Sequence, residues 1–286
     1  MIDMIKKIIE LTKVRISFLV LITTFLGFYL GSRGSINIEL LFFTLLGSWF
    51  SSMGSSVFNN VLEIEFDRLM KRTRNRVLPS NQFSKSFAII LGFILCFSGL
   101  IILLYKVNFL TFLLSLITIL SYLLIYTPLK RVSWTNTMIG AIPGALPPAG
   151  GWVAATNSLD WGALALFLIL FFWQHPHFYS LAYIYRKDYE SGGFKMLSST
   201  ENGIKRTVRH IFIHALLLIP ISTLPFFLGF SGRFYLVGAY LLSNIYMLTC
   251  LPFIIDQSNE NARLIFRTSI YYFPLLLILI FADLRV

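Results

Sequence analysis

Nine long stretches without a charged residue follow one another along the chain and constrain its fold more than any other feature. They cover residues 16–32, 40–62, 86–105, 107–129, 132–159, 161–185, 210–232, 234–255 and 268–282. A helix needs about 20 apolar residues to cross a bilayer. We therefore predict an all-α polytopic membrane protein with about nine transmembrane helices, the last of which begins near Ala262. Residues 1–286 form a single transmembrane domain in this interpretation, with residues 1–13 as a cytoplasmic interfacial segment.

The composition and the charge pattern agree with a membrane protein. The chain is 56% hydrophobic and 13% charged, whereas a soluble domain is about 25% charged. The net charge of +11 would indicate nucleic acid as a partner of a soluble protein, but here we expect a lipid bilayer and no nucleic acid. With a cytoplasmic N-terminus, all lysines and arginines lie inside except Arg33, Lys106, Arg233 and Arg285. The positive-inside rule then predicts a multi-pass protein of the cell (inner or plasma) membrane with its C-terminus outside.

A group of polar residues ends the second apolar stretch. Asn59, Glu63 and Asp67 recur every four residues, so a helix presents them on one face, while Glu65 points elsewhere. Mg²⁺ takes oxygen ligands and is commonly held by one or two carboxylates together with substrate phosphates. This spacing favours a magnesium site, although a solvated, salt-bridged helix end would have the same charges.

Two more charged clusters fall on the same predicted side, at residues 126–131 and 186–193. Downstream of Asp67, Arg72 and Arg76 are again four residues apart and can offer forked donors to phosphate oxygens. The three clusters together predict a cavity that holds a magnesium-bound diphosphate. Three charged loops on the cytoplasmic side are also what the positive-inside rule alone produces, so the spacing leaves both interpretations open.

The motifs in these segments resemble the UbiA superfamily of intramembrane prenyltransferases, and within it the branch that acts on heme. The first aspartate-rich motif of the family and its continuation match Asn59, Asn60, Glu63, Asp67, Met70, Arg72, Thr73, Asn75 and Arg76, and its Y-x-x-x-K motif matches Tyr126 and Lys130. Signatures of the heme branch match residues 136–141, 144–148, 151–152, 173–178, 188–189 and 192–193.

The resemblance implies a fold, a reaction and a set of site residues. Transmembrane helices would surround a central cavity, and farnesyl diphosphate, heme B and water would give heme O and diphosphate with Mg²⁺ as cofactor. The implied catalytic residues are Asn59, Asn60, Glu63, Asp67, Tyr126, Lys130 and Asp188. The implied metal ligands are Glu63, Asp67 and Asp188. The implied diphosphate-binding residues are Arg72, Arg76, Lys130 and Lys187. His177 and His175 are the implied heme contacts, and a downstream heme-modifying enzyme is the implied partner.

The chain departs from the general family pattern at three positions. Asn60 replaces an aspartate, Glu63 replaces another and lengthens the arm by one methylene, and Gly192 leaves Asp188 without a second aspartate four residues later. The lone Asp188 is typical of the heme branch. Two alternatives stay open: prenylation of an aromatic quinone precursor or a chlorophyll-type tetrapyrrole, and a transporter or channel, which would carry polar residues through the depth of the membrane.

The fifth apolar stretch is rich in glycine and proline. Gly140 and Gly144 form a G-x-x-x-G pair, and the same stretch contains Pro143, Pro147 and Pro148. We expect close helix packing and an interruption of the helix by the prolines. Broken helix at membrane depth can also line a cavity with room for a flat macrocycle.

Overall fold

The computed structural model describes residues 2–285, and its regular structure is helical apart from an isolated β-bridge. The first helices are α1 (Ile2–Leu11), α2 (Val14–Gly31), α3 (Ile38–Leu69), α4 (Lys85–Lys106), α5 (Phe109–Leu120), a π-helical segment (Ser121–Tyr126), α6 (Thr127–Val132) and α7 (Asn136–Thr156). They are followed by α8 (Trp161–Ile184), α9 (Arg186–Ser191), a 3₁₀ turn (Leu197–Ser199), α10 (Gly203–Ser222), α11 (Leu224–Phe227), α12 (Arg233–Leu248), α13 (Leu251–Ile255) and α14 (Asn259–Ala282).

Within residues 2–285, eight helical spans are long and apolar enough to cross a membrane. Each coincides with a predicted apolar stretch, and the last helix begins at Asn259, three residues before its predicted start. The remaining stretch forms α7, which is 21 residues long and is rich in glycine, alanine and proline. It packs against α2 on one side and α8 on the other. Neighbouring helices shield α7 from lipid, so it does not need a strongly apolar surface.

The predicted interruption of α7 is wrong, because the helix continues through all three of its prolines. Close contact with α2 supports it. A Cβ atom on Gly151 would lie 1.9 Å from the carbonyl oxygen of Thr24, and one on Gly27 would lie 1.8 Å from that of Pro148. The two backbones therefore touch where only glycine fits, and this contact fixes the first transmembrane helix against the centre of the bundle.

A π-helical segment joins α5 to α6 at the C-terminal end of the fourth span. Pro128 cannot donate a backbone hydrogen bond, and its ring would crowd the carbonyl four residues earlier. The chain accommodates it by widening the preceding turn, where the Thr127 amide donates to the Tyr122 carbonyl. The π-helical segment contains Tyr126 and sets the direction of Lys130 in α6, the two residues of the Y-x-x-x-K motif.

The predicted interfacial segment is the helix α1, whose Leu11 is fully buried while Met4, Ile5 and Ile9 are exposed. Glu10 accepts a hydrogen bond from the backbone amide of Val77 at 3.1 Å. The helix therefore lies beside the loop that follows α3. Met1 lies outside the described residues.

Candidate active site

The polar face of α3 is buried, as its spacing predicts. Asn59, Asn60, Glu63 and Asp67 are each less than a tenth exposed, whereas Glu65 pairs with Arg68 at the surface. If these residues were only a solvated end of a helix at the membrane surface, their side chains would be exposed to water. Buried carboxylates instead require cations or hydrogen-bond donors from other elements, and the tertiary structure supplies them.

Lys130 of α6 meets Glu63 across 67 residues of sequence. Its Nζ donates to Glu63 Oε1 at 2.7 Å, and the same Nζ lies 4.4 Å from the centre of the Tyr126 ring. Both charged side chains are about nine-tenths buried. The two family motifs that lie far apart in sequence therefore form one ion pair beside an aromatic ring.

Lys13 also lies at the candidate site, although its sequence position indicates only the orientation of the chain in the membrane. Its Nζ donates to Asn59 Oδ1 at 2.8 Å, and Asn59 Nδ2 donates to the Thr127 hydroxyl at 3.1 Å. The Lys13 backbone is left-handed, with φ 49°, which is uncommon for a residue with a side chain and is often found at functional sites. Burial lowers the pKa of Lys13 to about 8, an effect that Glu63 partly opposes.

The predicted helical pairing of Arg72 with Arg76 is wrong. The helix α3 ends at Leu69, and turns follow it through residue 80. In these turns Arg76 Nη1 lies 3.1 Å from Asp67 Oδ2, and Arg72 Nε lies 3.9 Å from Asp188 Oδ2. Each arginine therefore faces a different predicted metal ligand instead of forming one clamp.

Asp188 and Lys187 lie on α9, beyond the membrane-spanning part of α8. Asp188 Oδ1 accepts from the backbone amide of Lys71 at 2.9 Å, so the carboxylate ties α9 to the loop after α3. Lys187 is exposed, with no salt bridge to another described residue. The structure therefore brings Asp188 to the edge of the site and leaves Lys187 outside it.

The three predicted metal ligands do not converge. Among residues 2–285, no group of three His, Cys, Asp or Glu side chains could hold a metal ion. Two buried side-chain oxygens of the site nevertheless have no hydrogen-bond partner among the described residues: Asn60 Oδ1 and Asp188 Oδ2. Mg²⁺ is usually held by one or two carboxylates plus substrate phosphates rather than by a complete protein cage. The oxygen donors of the site therefore fit a Mg²⁺ ion that is held partly by protein oxygens and partly by substrate phosphates.

Two cavities meet at the site. An outer pocket of about 480 Å³ is lined by α1, α3 and the loop after α3, and includes Lys13, Asn60, Asp67 and Arg76. An inner cavity of about 360 Å³ extends into the bundle. Ile16 borders both. The charged residues thus lie at the mouth of a cavity that continues between the transmembrane helices.

The glycine pair of α7 makes room for two side chains that line the inner cavity. A Cβ on Gly140 would lie 2.4 Å from the ring of Tyr126, and one on Gly144 would lie 2.4 Å from Gln174 Oε1. Gln174 is buried and donates to the Ala141 carbonyl at 2.7 Å. The two glycines therefore shape the cavity, in addition to bringing helices together. Gln174 is a cavity residue that the sequence analysis does not predict.

His175 and His177 face away from the inner cavity. His177 Nδ1 lies 2.7 Å from the Ser269 hydroxyl of α14. The His175 ring is fully buried and stacks 4.0 Å from that of His214 on α10. The cavity-lining residues of α8 are instead Gln174, Phe178, Leu181 and Ala182. A heme contact through either histidine stays a prediction and would require approach from another side of α8.

Sequence comparison finds relatives along almost the whole chain. The model of the UbiA prenyltransferase family matches residues 20–274. A protoheme IX farnesyltransferase of Solibacter usitatus is 39% identical over 284 residues, covering 96% of this chain and 97% of the relative. One of Aquifex aeolicus is 40% identical over 270 residues, covering 94% and 92%.

Solved structures share the fold at low sequence identity. A structure concerning digeranylgeranylglyceryl phosphate synthase in membranes has a TM-score of 0.81 at 18% identity and covers 98% of both chains. A UbiA homologue of Archaeoglobus fulgidus bound to GPP and Mg²⁺ has a TM-score of 0.65 at 14% identity, covering 96% of this chain and 99% of that one. The matches of sequence and fold, together with the charged site at the mouth of the cavity, lead to one conclusion: this chain belongs to the UbiA prenyltransferase family.

Proposed function

We propose that the chain transfers the farnesyl group of farnesyl diphosphate to a vinyl group of heme B, so that heme O and diphosphate are formed and water is consumed. The observation that carries the proposal is the buried ion pair between Lys130 and Glu63, which lies beside Tyr126, a residue that lines the inner cavity. It places charges suited to a metal diphosphate beside a space suited to a prenyl tail. The sequence relatives named above support heme as the acceptor.

Glu63 and Asp67 of α3 would hold Mg²⁺ together with diphosphate oxygens, and Asp188 would face the same metal diphosphate from the other side of the site, with the Asn60 amide oxygen nearby. The bound ion would neutralise diphosphate charge and make the diphosphate a better leaving group. A metal diphosphate that enters would displace Lys130 and Arg76 from their carboxylates, and both cations would then face phosphate oxygens.

The chain's own residues would control the charge that develops on farnesyl. Lys13, Lys130 and Arg76 stabilise the departing diphosphate. The Tyr126 ring borders the inner cavity beside Lys130, where its face can stabilise positive charge on the allylic carbon. The helices around the cavity shield that carbon from bulk water until the vinyl group attacks.

We further propose that the whole chain is one transmembrane domain whose charged mouth faces the cytoplasm. In this orientation the N-terminus is cytoplasmic, the C-terminus is outside, and the membrane is the cell membrane. The distribution of lysines and arginines supports the orientation. A downstream heme-modifying enzyme would then receive the product from the membrane.

The acceptor is tested with purified protein, Mg²⁺, farnesyl diphosphate and reduced heme B. We expect a more hydrophobic heme, identified by chromatography and mass as heme O, together with released diphosphate. An aromatic acceptor, 4-hydroxybenzoate, is offered in parallel. Conversion of 4-hydroxybenzoate alone would refute heme as the acceptor, but it would still support the proposed diphosphate-binding site. Absence of diphosphate release with every acceptor would favour a transporter.

The metal assignment is tested by changing single carboxylates of α3. Glu63→Ala and Asp67→Ala should each lower turnover by about 10²-fold or more, because interactions with a leaving group of this kind are worth that much. Glu63→Asp should retain substantial activity. Glu65→Ala is the matched control, since Glu65 is an exposed carboxylate of the same helix. Near-normal turnover in both alanine variants, at equal yield of folded protein, would rule out this assignment.

A further inference from the structure

A row of hydroxyl groups continues the polar face of α3 into the inner cavity. Its members recur at helical spacing and all line the cavity: Ser48, Ser51, Ser52, Ser55 and Ser56. Asn59 and Glu63 follow at the same spacing towards the cytoplasmic end. The apolar stretch that crosses the membrane thus presents serines on the face that encloses the substrate space.

Part of this row lacks a partner within the protein. The hydroxyl oxygens of Ser51 and of Thr111, which lines the cavity from α5, form no hydrogen bond with any residue between 2 and 285. The two residues are 4% and 2% exposed. Buried hydroxyls without partners are costly in an apolar environment, and internal water is the usual partner where a cavity adjoins them.

The opposite wall of the cavity offers acceptors. Pro147 and Pro148 have no amide hydrogen, so the carbonyls of Pro143 and Gly144 lack the donor four residues later that an α-helix normally provides. Pro143, Gly144 and Pro147 line the cavity. Gln174 Nε2 donates to α7, while its Oε1 accepts no hydrogen bond from the residues that the structure describes. Hydroxyls on α3 therefore face carbonyl oxygens on α7 and α8 across the same space.

We infer that these two walls hold water inside the cavity and position the water molecule that completes the reaction. The inference rests on the proposed function, because that reaction consumes one water. Ser55 and Ser56 precede Glu63 by seven or eight residues, about 10–12 Å along the helix. That distance places their hydroxyls beyond the diphosphate, on the side where the acceptor carbon reacts.

The bonds and charges of the step balance. The bond between C1 of farnesyl and the diphosphate oxygen breaks, and the diphosphate leaves with the electron pair. C1 bonds to the terminal vinyl carbon of heme, which leaves positive charge on the inner vinyl carbon. The held water adds its oxygen to that carbon, and its proton passes to the released diphosphate. If water is not in place, the same cation loses a proton from the adjacent carbon and gives a dehydrated product, which has one new carbon–carbon double bond in place of the hydroxyl group and is lighter by one water.

The ratio of hydroxylated heme to dehydrated product therefore reports whether the row of hydroxyl groups on α3 holds the water. The test compares wild type with the double variant Ser55→Ala/Ser56→Ala in heavy-oxygen water, and mass spectrometry measures both products. We expect wild type to place heavy oxygen in the product. In the variant, the fraction of dehydrated product should rise several-fold while diphosphate release continues. Gln174→Met changes the opposite wall independently and should shift the ratio in the same direction.

Thr44→Val is the matched control. Thr44 carries a buried hydroxyl on the same helix, bonded to the Leu40 carbonyl, and it lies outside the cavity lining. It should leave the product ratio unchanged. An unchanged product ratio in both cavity variants, or a wild-type product whose hydroxyl group lacks heavy oxygen, would overturn the inference that these walls position the water. The proposed function would then be unaffected. Wild-type protein that forms no farnesylated heme of either kind would overturn the proposed function.

Discussion

Lys130 and Glu63 form a buried ion pair in which Lys130 Nζ donates to Glu63 Oε1 at 2.7 Å. The pair joins α6 to α3, and the Tyr126 ring covers its cation. A buried pair is weak evidence for stability in itself, but removing one partner leaves an uncompensated charge that costs about 3–5 kcal/mol. The pair therefore holds in place two groups that we propose to bind the metal diphosphate.

The first prediction follows from this pair. Lys130→Met should lower both the yield of folded protein and turnover, because it leaves Glu63 buried without a cation and removes a positive charge from the diphosphate site. Adding Glu63→Gln should restore the yield without restoring turnover. Detergent-extracted yield and diphosphate release measure the two effects separately.

Arg131→Met serves as the control for Lys130→Met. Arg131 is the adjacent residue, but its guanidinium lies 3.7 Å from the centre of the Phe66 ring, outside the ion pair. This variant should retain most of its turnover. Recovery of activity in the double variant would show that the charge of Lys130 has no role beyond balancing Glu63.

The second prediction concerns the pH dependence that Lys13 confers. Burial lowers its pKa from 10.5 to about 8, so the free protein loses this cation as the pH rises through about 8. We expect kcat/KM for farnesyl diphosphate to fall above that pH, since this constant reports the free enzyme. Lys13→Arg should flatten the fall because arginine stays protonated.

The lowered pKa of Lys13 also determines the direction in which the stability of the fold changes with pH. Between pH 8 and pH 10.5 the unfolded chain holds the proton and the folded chain has released it, so the Lys13 contribution to folding becomes more favourable as the pH rises through this range. Lys13→Met should remove that increase. A kcat/KM profile that falls identically in wild type and Lys13→Arg would exclude Lys13 as its origin.

The third prediction tests the contact between α2 and α7. Gly151→Ala would place a Cβ 1.9 Å from the Thr24 carbonyl oxygen, so the helices must separate. We expect a marked loss of folded protein and a lower unfolding temperature. Gly150→Ala is the control on the adjacent residue, because its Cβ would meet nothing within 4 Å. Equal yields of the two variants would show that this contact is not needed for folding.

The fourth prediction tests the orientation. In a variant with Cys96→Ala and Cys250→Ala, a single reporter cysteine at Arg74 should be labelled only from the cytoplasmic side and one at Ser158 only from outside. Both positions are exposed. An impermeant thiol reagent applied to intact cells and to inverted vesicles makes the comparison. Reversed labelling would move the charged mouth to the other side of the membrane.

Much of the architecture is already determined by the sequence. Backbone groups in a bilayer must be paired within the spanning segment, so uncharged stretches of sufficient length specify helices directly. The four-residue spacing of Asn59, Glu63 and Asp67 likewise specifies a common face, because it depends only on helical geometry. The residues of the family motifs could therefore be named without a structure.

Only the tertiary structure decides which partners these residues meet. Lys13 had the same sequence signature as any cytoplasmic lysine, and its place beside Asn59 depends on how α1 and α2 pack against α3. The spacing of Arg72 and Arg76 predicts a shared helical face, but α3 ends before them and the turns direct them to separate carboxylates. The prolines of α7 indicated a broken helix, yet close packing against α2 keeps it continuous. Contacts across tens of residues are set by packing of whole helices, and a spacing rule within one helix contains no information about them.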